Sequence, residues 1–287
     1  MPRPPSSRGL TLAKKPNFYQ VVQAAVNDIA DNGFDSEARL EKWKKKILAA
    51  AESALPSPTQ LDKMLRDSLI AIYGKLVDKG GLETIHPGVS KYTIEKLRPH
   101  LRAELDKRIA ASASLIKLNR TKAIAATMAR FEGWSTSIPA GGTSQANKAS
   151  TKASIKRAMQ SLPFEERRLL TDQGHKLTAS INDVVARDGG AIAVVWHSNW
   201  RQKNYNYRED HKDRDEKCYA IRDNWAIKKG LMKAGPVGFY DDITKVAEEP
   251  FCRCYAKYIY NPRSLPDYML TAKGKAALAD ARAALAS

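Results

Sequence analysis

Apolar residues recur every three or four positions through the first half of the chain, which is the spacing of one buried helix face. In residues 99–134 the pattern continues without a glycine or proline from Leu101 to Glu132. We therefore predict a long helical module over residues 16–138. Residues 1–15, rich in Pro, Ser and Lys, are predicted to form a flexible basic arm before it.

The pattern changes after this module. Residues 139–154 are small, polar and Gly-rich, which predicts a linker. Further along, "AIAVVWH" and "CYAIRDNWAI" are short apolar runs, and "CRCYAKYIY" alternates in the manner of a half-buried strand. We predict a small α+β domain over residues 155–262 and an Ala-rich C-terminal helix over residues 263–287. The predicted fold class is α+β: a long helical N-terminal module followed by a small α+β domain with a short antiparallel sheet.

The chain is strongly basic, with a formal net charge of +17 over 287 residues, and the excess is spread over both halves. Charge of this size favours a polyanionic partner, because binding to phosphates releases counterions. It predicts non-specific contact with double-stranded DNA. Diffuse contacts of this kind include a run of lysines on the second predicted helix: Lys42, Lys44, Lys45 and Lys46. The alternative for this run is an ordinary solvated helix face.

The sequence contains no uninterrupted apolar run of about 18 residues and no apolar core of a signal peptide. We therefore expect no membrane segment and folding in a reducing cytoplasm. Three cysteines in a reducing compartment do not suggest a disulfide framework.

The strand-rich portion contains every cysteine of the chain, and with one histidine these form a candidate zinc site: His211, Cys218, Cys252 and Cys254. In a regular strand the two sulfurs of a Cys-x-Cys pair lie on one face but about 6.6 Å apart, so they chelate one ion only if the strand bends. The alternative is that the cysteines pack as small apolar residues and His211 lies in a charged loop. Because no Cys-x-x-Cys pair is present, the sequence favours the alternative and no cofactor.

Two kinds of catalysis have weak sequence support. A cysteine nucleophile needs a neighbouring base, and His211 is the candidate in this part of the chain. The acidic residues around it offer carboxylates for a divalent cation, but interspersed Lys and Arg side chains neutralise them. The sequence therefore predicts no enzyme and no catalytic residue.

Several short segments taken together resemble a known family. The shared features are a Trp-ended strand, an Arg-x-x-His signature and a Pro-x-Cys-Arg-Cys closing strand, here Trp196, Arg208, His211, Pro250, Cys252, Arg253 and Cys254. On these residues the chain resembles the phage head morphogenesis domain of the Mu F-like minor head (minor capsid) proteins. The motifs support the resemblance over residues 155–262, and elsewhere only the predicted architecture is similar.

The resemblance implies a structural protein of the phage head, present in few copies in the virion. Its partners would be the portal or other head proteins, packaged DNA and, in an oligomer, further copies of itself, and it would act in head assembly or DNA ejection. It also implies that Cys252 and Cys254 begin the closing strand on one face while Arg253 points to the other. A stand-alone non-specific DNA-binding module ranks second, and a metal-dependent enzyme acting on nucleic acid ranks third.

Overall fold

The computed structural model describes residues 16–286, so the predicted basic arm lies outside the described residues. Long helices occupy the N-terminal part and a small three-stranded antiparallel sheet lies in the C-terminal part, which confirms the predicted α+β class. In chain order the helices and strands are α1 (Phe18–Asn32), α2 (Glu37–Ser53), α3 (Pro58–Tyr73), α4 (Gly81–Ile85), α5 (Lys91–Ser135), α6 (Lys148–Asp188), β1 (Ala193–His197), α7 (Glu209–Asp213), β2 (Cys218–Ala220), α8 (Trp225–Lys228), β3 (Tyr255–Ile259) and α9 (Ala272–Ala286).

The chain forms two compact units, and each is assembled from two separate stretches of sequence. The first unit comprises the described residues up to Pro58 together with Lys117–Glu165. The second comprises Thr59–Ile116 and the described residues from Glu166 onward. Both boundaries within the later sequence fall inside a continuous helix, α5 or α6.

The first unit is a helical bundle whose first helix has a well-defined start and end. Asn17 caps α1 in a capping box with Gln20, in which each side chain accepts a hydrogen bond from the other's backbone N–H. Gly33 ends α1 with a φ of 80°, a conformation that glycine adopts without a Cβ penalty. The core of the unit is lined by Phe18, Val21, Val22, Ala25, Val26, Ile29, Leu40, Ile47, Ala51, Ala123, Phe131, Ile138, Ile155, Met159 and Leu162.

The second unit has a helical core beside its sheet. Apolar side chains of α3, the first half of α5 and the second half of α6 pack together, and they include Leu69, Leu101, Leu105, Leu177, Ile181 and Val185. This core takes residues from both of the unit's sequence stretches, so neither stretch can bury its apolar face alone.

The sheet has β1 at its centre, paired antiparallel with β2 on one side and with β3 on the other. The pleat sends alternate side chains to opposite faces. One face carries Val194, Trp196 and Tyr219 and the other carries Val195 and Cys218, and each face is covered by its own apolar cluster. Residues of the same unit cover both faces of β1 and β2, whereas the edge strand β3 leaves Tyr255 and Lys257 exposed.

The structure corrects the predicted domain boundaries. Residues 139–147 connect α5 to α6 inside the first unit, and α6 already begins at Lys148, so the predicted linker 139–154 does not separate two domains. For the same reason the predicted module 16–138 and the predicted domain 155–262 each take in parts of both cores. Composition marks a turn here, but it does not reveal that the two helices joined by the turn share a core.

Two helix predictions also change. The sequence suggests a helix starting at Pro163, whereas α6 runs through this residue. The missing N–H costs the helix about 3 kcal/mol, which the burial of Ile155, Met159 and Leu162 along the preceding turns offsets. The C-terminal helix, predicted over residues 263–287, begins only at Ala272, after two 3₁₀ turns.

Among the described residues, no helix combines the length and the apolar character needed to cross a membrane.

Candidate functional site

His211 lies on α7, a short helix in the segment predicted to be a charged loop. Its charged neighbours pair along the exposed side of the turn, Lys212 with Glu209 and Arg214 with Asp210. His211 itself turns inward and is only 1% exposed. The charged loop of the sequence prediction is therefore a helical turn with one buried face.

The Cys-Arg-Cys segment does not begin the closing strand, which is a correction to the sequence interpretation. β3 starts at Tyr255, and Cys252 and Cys254 lie in the irregular backbone before it. Phe251 has a φ of 60°, and the Cys252 N–H donates to Glu249 O at 3.2 Å, so the chain turns sharply at this point. The extended-strand spacing that argues against chelation therefore does not apply.

The turn brings both cysteines against His211. Cys252 Sγ and Cys254 Sγ each lie 3.5 Å from His211 Nδ1, and all three side chains are buried. One potential ligand atom from each residue lies within 4.8 Å of the others. Three residues separated by about 40 positions in sequence thus form one compact group of soft donors.

Cys218, the fourth residue of the predicted zinc site, does not join this group. It pairs with Val195 across β1 and β2 and packs with Met232 on the face of the sheet opposite Trp196. Burial in this apolar cluster raises the pKa of its thiol to about 11. The pleat alone places Cys218 on the wrong face, so the four-residue site is corrected to three residues.

The other side of the His211 ring faces carboxylates. His211 Nε2 is buried without a hydrogen-bond partner, and it lies 3.8 Å from both Asp210 Oδ2 and Glu249 Oε2. Trp196 packs edge-on against the ring, with centroids 5.2 Å apart. The imidazole is therefore fixed in orientation, with one nitrogen toward sulfur and the other toward negative charge.

Arg208 ties α7 to the turn before the cysteines. Its Nε forms an ion pair with Glu249 Oε2 at 2.5 Å, and its guanidinium donates to Pro250 O at 3.0 Å. An ion pair and a hydrogen bond to the Pro250 carbonyl therefore connect α7 to the turn before the cysteines.

Arg253 points away from the cysteines, as the sequence interpretation expects. Its guanidinium donates to Gln202 Oε1 at 2.9 Å and lies over the Tyr205 ring, 5.1 Å from the centroid. Its backbone N–H donates to the Tyr205 hydroxyl, and its carbonyl accepts from Asn199. The loop before α7 thus covers the outer side of the Cys-Arg-Cys segment.

Sequence reasoning did not identify two residues of α6 that support the turn. Asp172 Oδ1 accepts a hydrogen bond from the Phe251 N–H at 2.6 Å, and Arg168 lies over the Phe251 ring, 3.8 Å from its centroid. Nothing in the local sequence links α6 to residue 251. The sequence offers one weak signal for this supporting role: Asp172 lies on the predominantly apolar face of a predicted helix, with Lys176 one turn later.

The two thiols of the site influence each other's acidity. Interaction with the neighbouring Cys254 lowers the pKa of Cys252 below its ordinary value. Interaction with Cys252, together with burial, raises the pKa of Cys254. The interaction between the two sulfurs therefore favours ionisation of Cys252 over ionisation of Cys254.

The remaining predicted residues are arranged less tightly. Within the lysine run on α2, Lys44 forms ion pairs with Glu41 and Glu132, and Lys46 lies over the Trp43 ring. Lys42 and Lys45 are exposed and form no ion pair with the described residues. These two lysines are therefore the members of the run that remain available to an anion.

Comparison with known proteins identifies no relative: no family model, no curated protein and no solved structure matches the chain.

Proposed function

We propose that the chain is a minor head protein of a phage, a structural component of the virion that acts in head assembly at the portal and contacts packaged DNA without sequence preference. It would assemble in the host cytoplasm and remain in the phage head, where it could also take part in DNA ejection.

The observation that carries this proposal is the convergence of the residues on which the resemblance rests. Trp196 packs on His211, and His211 contacts both Cys252 and Cys254. The other three motif residues support the same cluster. Arg208 donates a hydrogen bond to the Pro250 carbonyl, and Arg253 contacts the loop that covers the cysteines. The motif is spread over almost 60 residues of sequence, yet its residues form one packed cluster, as expected of a motif that defines a domain. This convergence supports kinship with the Mu F-like head proteins better than sequence matches at isolated positions do.

The charge of the chain supports the DNA contact. A net charge of +17 persists after the many ion pairs between its own side chains are formed, because each pair cancels one charge of each sign. The excess cations therefore need counter-anions, and DNA phosphates supply them inside a filled head.

The site does not support a nuclease. Metal-dependent nucleases hold their ions with converging carboxylates, and the cluster of ligands found among the described residues contains none. The acidic side chains nearby are occupied: Asp210 pairs with Arg214, and Asp215 accepts from Ser198 N and Trp200 Nε1. A cavity of about 50 Å³ borders Cys254, which is room for one or two water molecules but not for a nucleotide. We therefore assign no catalytic residue.

The proposal is tested on purified particles of the phage whose genome encodes the chain. Mass spectrometry of these particles should detect the chain in far fewer copies than the main shell protein, and disassembled heads should release it together with the portal. Detection in infected-cell lysate but not in particles would contradict the proposal and leave a stand-alone DNA-binding module as the better assignment.

A control separates incorporation from folding. His211→Ala alters the motif cluster and should reduce incorporation only as far as it destabilises the second unit. If this variant were incorporated normally and stayed folded, yet the particles were not infectious, a chemical role for His211 would replace the structural proposal.

A further inference from the structure

We infer that His211 Nδ1, Cys252 Sγ and Cys254 Sγ bind one zinc ion, which links the turn before β3 to α7. The inference concerns a site within the second unit and does not depend on the proposed role in a phage head.

The distances between the three atoms match a tetrahedral zinc site. With Zn–S bonds of about 2.3 Å and Zn–N bonds of about 2.0 Å, a sulfur and a nitrogen ligand lie about 3.5 Å apart, and two sulfurs lie about 3.8 Å apart. Both sulfur-to-Nδ1 distances in the site are 3.5 Å, and all three atoms lie within 4.8 Å of each other. An ion would therefore need little movement of the side chains.

The ring of His211 has the environment expected of a zinc ligand. When Nδ1 binds a metal, the ring proton sits on Nε2 and usually points to a carboxylate, which fixes the ring and increases its basicity. Here Nε2 is buried without a hydrogen-bond partner and lies 3.8 Å from Asp210 and Glu249. Both carboxylates also pair with arginines, Asp210 with Arg214 and Glu249 with Arg208. The buried Nε2 therefore has no close partner of its own, and a hydrogen on it would point toward carboxylate oxygens.

The two sulfurs are held in place by contacts that do not involve the metal. The turn at Phe251 has positive φ, which is unfavourable for a residue with a side chain. Asp172 and Arg168 hold this turn from α6, and Tyr205 hydrogen-bonds the backbone between the cysteines. The surrounding structure therefore imposes a conformation in which both thiols point at one histidine nitrogen.

Zinc prefers this donor set and coordination number. Thiolate sulfur and imidazole nitrogen are its usual ligands in proteins, and three protein ligands leave one position for a further donor. No fourth His, Cys, Asp or Glu side chain joins the cluster within the described part of the chain. The fourth position of the ion is left for a water molecule, as in zinc sites with three protein ligands. Burial of all three ligands indicates a structural ion.

The experiment uses the full chain, freed of metal and then titrated with Co²⁺ and Zn²⁺. Cobalt should produce the intense absorption of thiolate-to-cobalt charge transfer and the visible bands of a tetrahedral ion, and zinc should displace it at one ion per chain. This cobalt titration needs no variant protein, because the absorption spectrum itself reports whether sulfur binds the ion. A titration without a charge-transfer band would overturn the inference, as would the finding that Cys252 and Cys254 form a disulfide in the purified chain.

Matched cysteine variants locate the ion. Cys252→Ser and Cys254→Ser should each weaken zinc binding by more than about 100-fold, since each removes a direct ligand. Cys218→Ser replaces an equally buried cysteine on the other face of the sheet and should bind zinc as the unaltered chain does. If Cys218→Ser lost zinc as fully as the other two variants, the three-residue site would be wrong.

A stability measurement completes the test. Zinc should raise the thermal midpoint of the unaltered chain and of Cys218→Ser, because an ion that binds only the folded state stabilises it by mass action. The midpoints of Cys252→Ser and Cys254→Ser should not respond to zinc. An equal response in all four proteins would show that zinc acts elsewhere on the chain, which contradicts the inference.

Discussion

His86 shows how a single buried residue links the helical core of the second unit to its sheet. It is fully buried in this unit, where Tyr260 donates its hydroxyl hydrogen to Nδ1 at 2.6 Å and Nε2 donates to Asn182 Oδ1 at 3.2 Å. Both ring nitrogens of a neutral imidazole are thus satisfied. Burial lowers the pKa of His86 below its ordinary value, although the hydrogen bond to Asn182 opposes this effect. In the protonated ring the Tyr260 hydroxyl must turn to accept from Nδ1, and neither ring partner is a carboxylate that would offset the buried charge.

This arrangement predicts that the second unit loses stability in mild acid. Because the pKa of His86 is lower in the folded than in the unfolded chain, its contribution is complete above about pH 6.5 and is lost as the pH falls below that value. For one proton the loss is at most about 1.4 kcal/mol per pH unit. Urea unfolding at pH 7.5 and pH 5.5 measures the change in the free energy of unfolding.

His86→Gln should show a smaller loss between the two pH values than the unaltered chain. His100→Gln, which changes an exposed histidine of α5, should lose as much as the unaltered chain. Equal losses in all three proteins would remove His86 as the cause and leave other histidines, such as His197, whose pKa is also lowered by burial.

At the scale of the element, the C-terminal end of α1 depends on backbone conformation, whereas its start depends on the side chains of Asn17 and Gln20. Gly33 ends α1 with positive φ, and a Cβ at this position would lie 2.0 Å from Pro139 O and 2.7 Å from Gly142 N. Both opposing atoms belong to backbone that cannot rotate away. In α5, by contrast, a Cβ at Gly133 would meet nothing within 4 Å, and φ is not positive there.

The two glycines therefore predict substitutions of opposite sign. Gly33→Ala should destabilise the first unit by several kcal/mol, because it combines a left-handed conformation with a backbone clash. Gly133→Ala should stabilise it by about 0.5–1 kcal/mol, because alanine is the better helix former. Chemical denaturation of the two single variants beside the unaltered chain provides the comparison. A Gly33→Ala protein as stable as the parent would mean that the turn at Pro139 can rearrange.

At the scale of the whole molecule, the two cores determine where the chain can be cut. A fragment of residues 139–287 contains the predicted C-terminal domain but lacks α3 and the first half of α5. These elements cover Leu177, Ile181 and Val185 of α6 in the second unit. A fragment of residues 59–287 keeps every residue of that unit.

We expect the longer fragment to fold and the shorter one to fail. Fragment 59–287 should give a cooperative unfolding transition of the second unit, although its residues 117–165 lose the cover of α1 and α2. Fragment 139–287 should give no cooperative transition, and protease should degrade its sheet region quickly. Cooperative unfolding of fragment 139–287 would show that the sheet and its two faces are sufficient for a stable domain.

The net charge of the whole molecule gives a prediction of its own. Binding to duplex DNA should be independent of sequence and should weaken steeply between about 50 mM and 200 mM salt, because each phosphate contact releases counterions. Fluorescence anisotropy with two unrelated duplexes at several salt concentrations measures this. Lys42→Gln combined with Lys45→Gln should reduce the salt slope by no more than about 2, since contacts are spread over the surface. Salt-independent binding, or a marked preference for one duplex, would contradict the prediction.

The sequence by itself determines the class of the fold and most of its elements. Apolar spacing of three and four residues places the long helices, because one face of each must be buried. The alternation in "CRCYAKYIY" identifies β3, since a strand between a core and solvent alternates. The sequence also identifies His211, Cys218, Cys252 and Cys254 as candidates for metal binding, because few side chains bind metals or act as nucleophiles.

Only the tertiary structure decides which of these residues meet. Cys252 and Cys254 face His211 because a left-handed turn at Phe251, held by residues of α6, interrupts the strand just before it. Cys218 is excluded because the pairing register of β1 and β2 sends it to the opposite face. The division into two units likewise depends on contacts between stretches far apart in sequence, as between α3 and α6. Local pattern reports which face of an element is apolar, but long-range packing selects the partner that covers it.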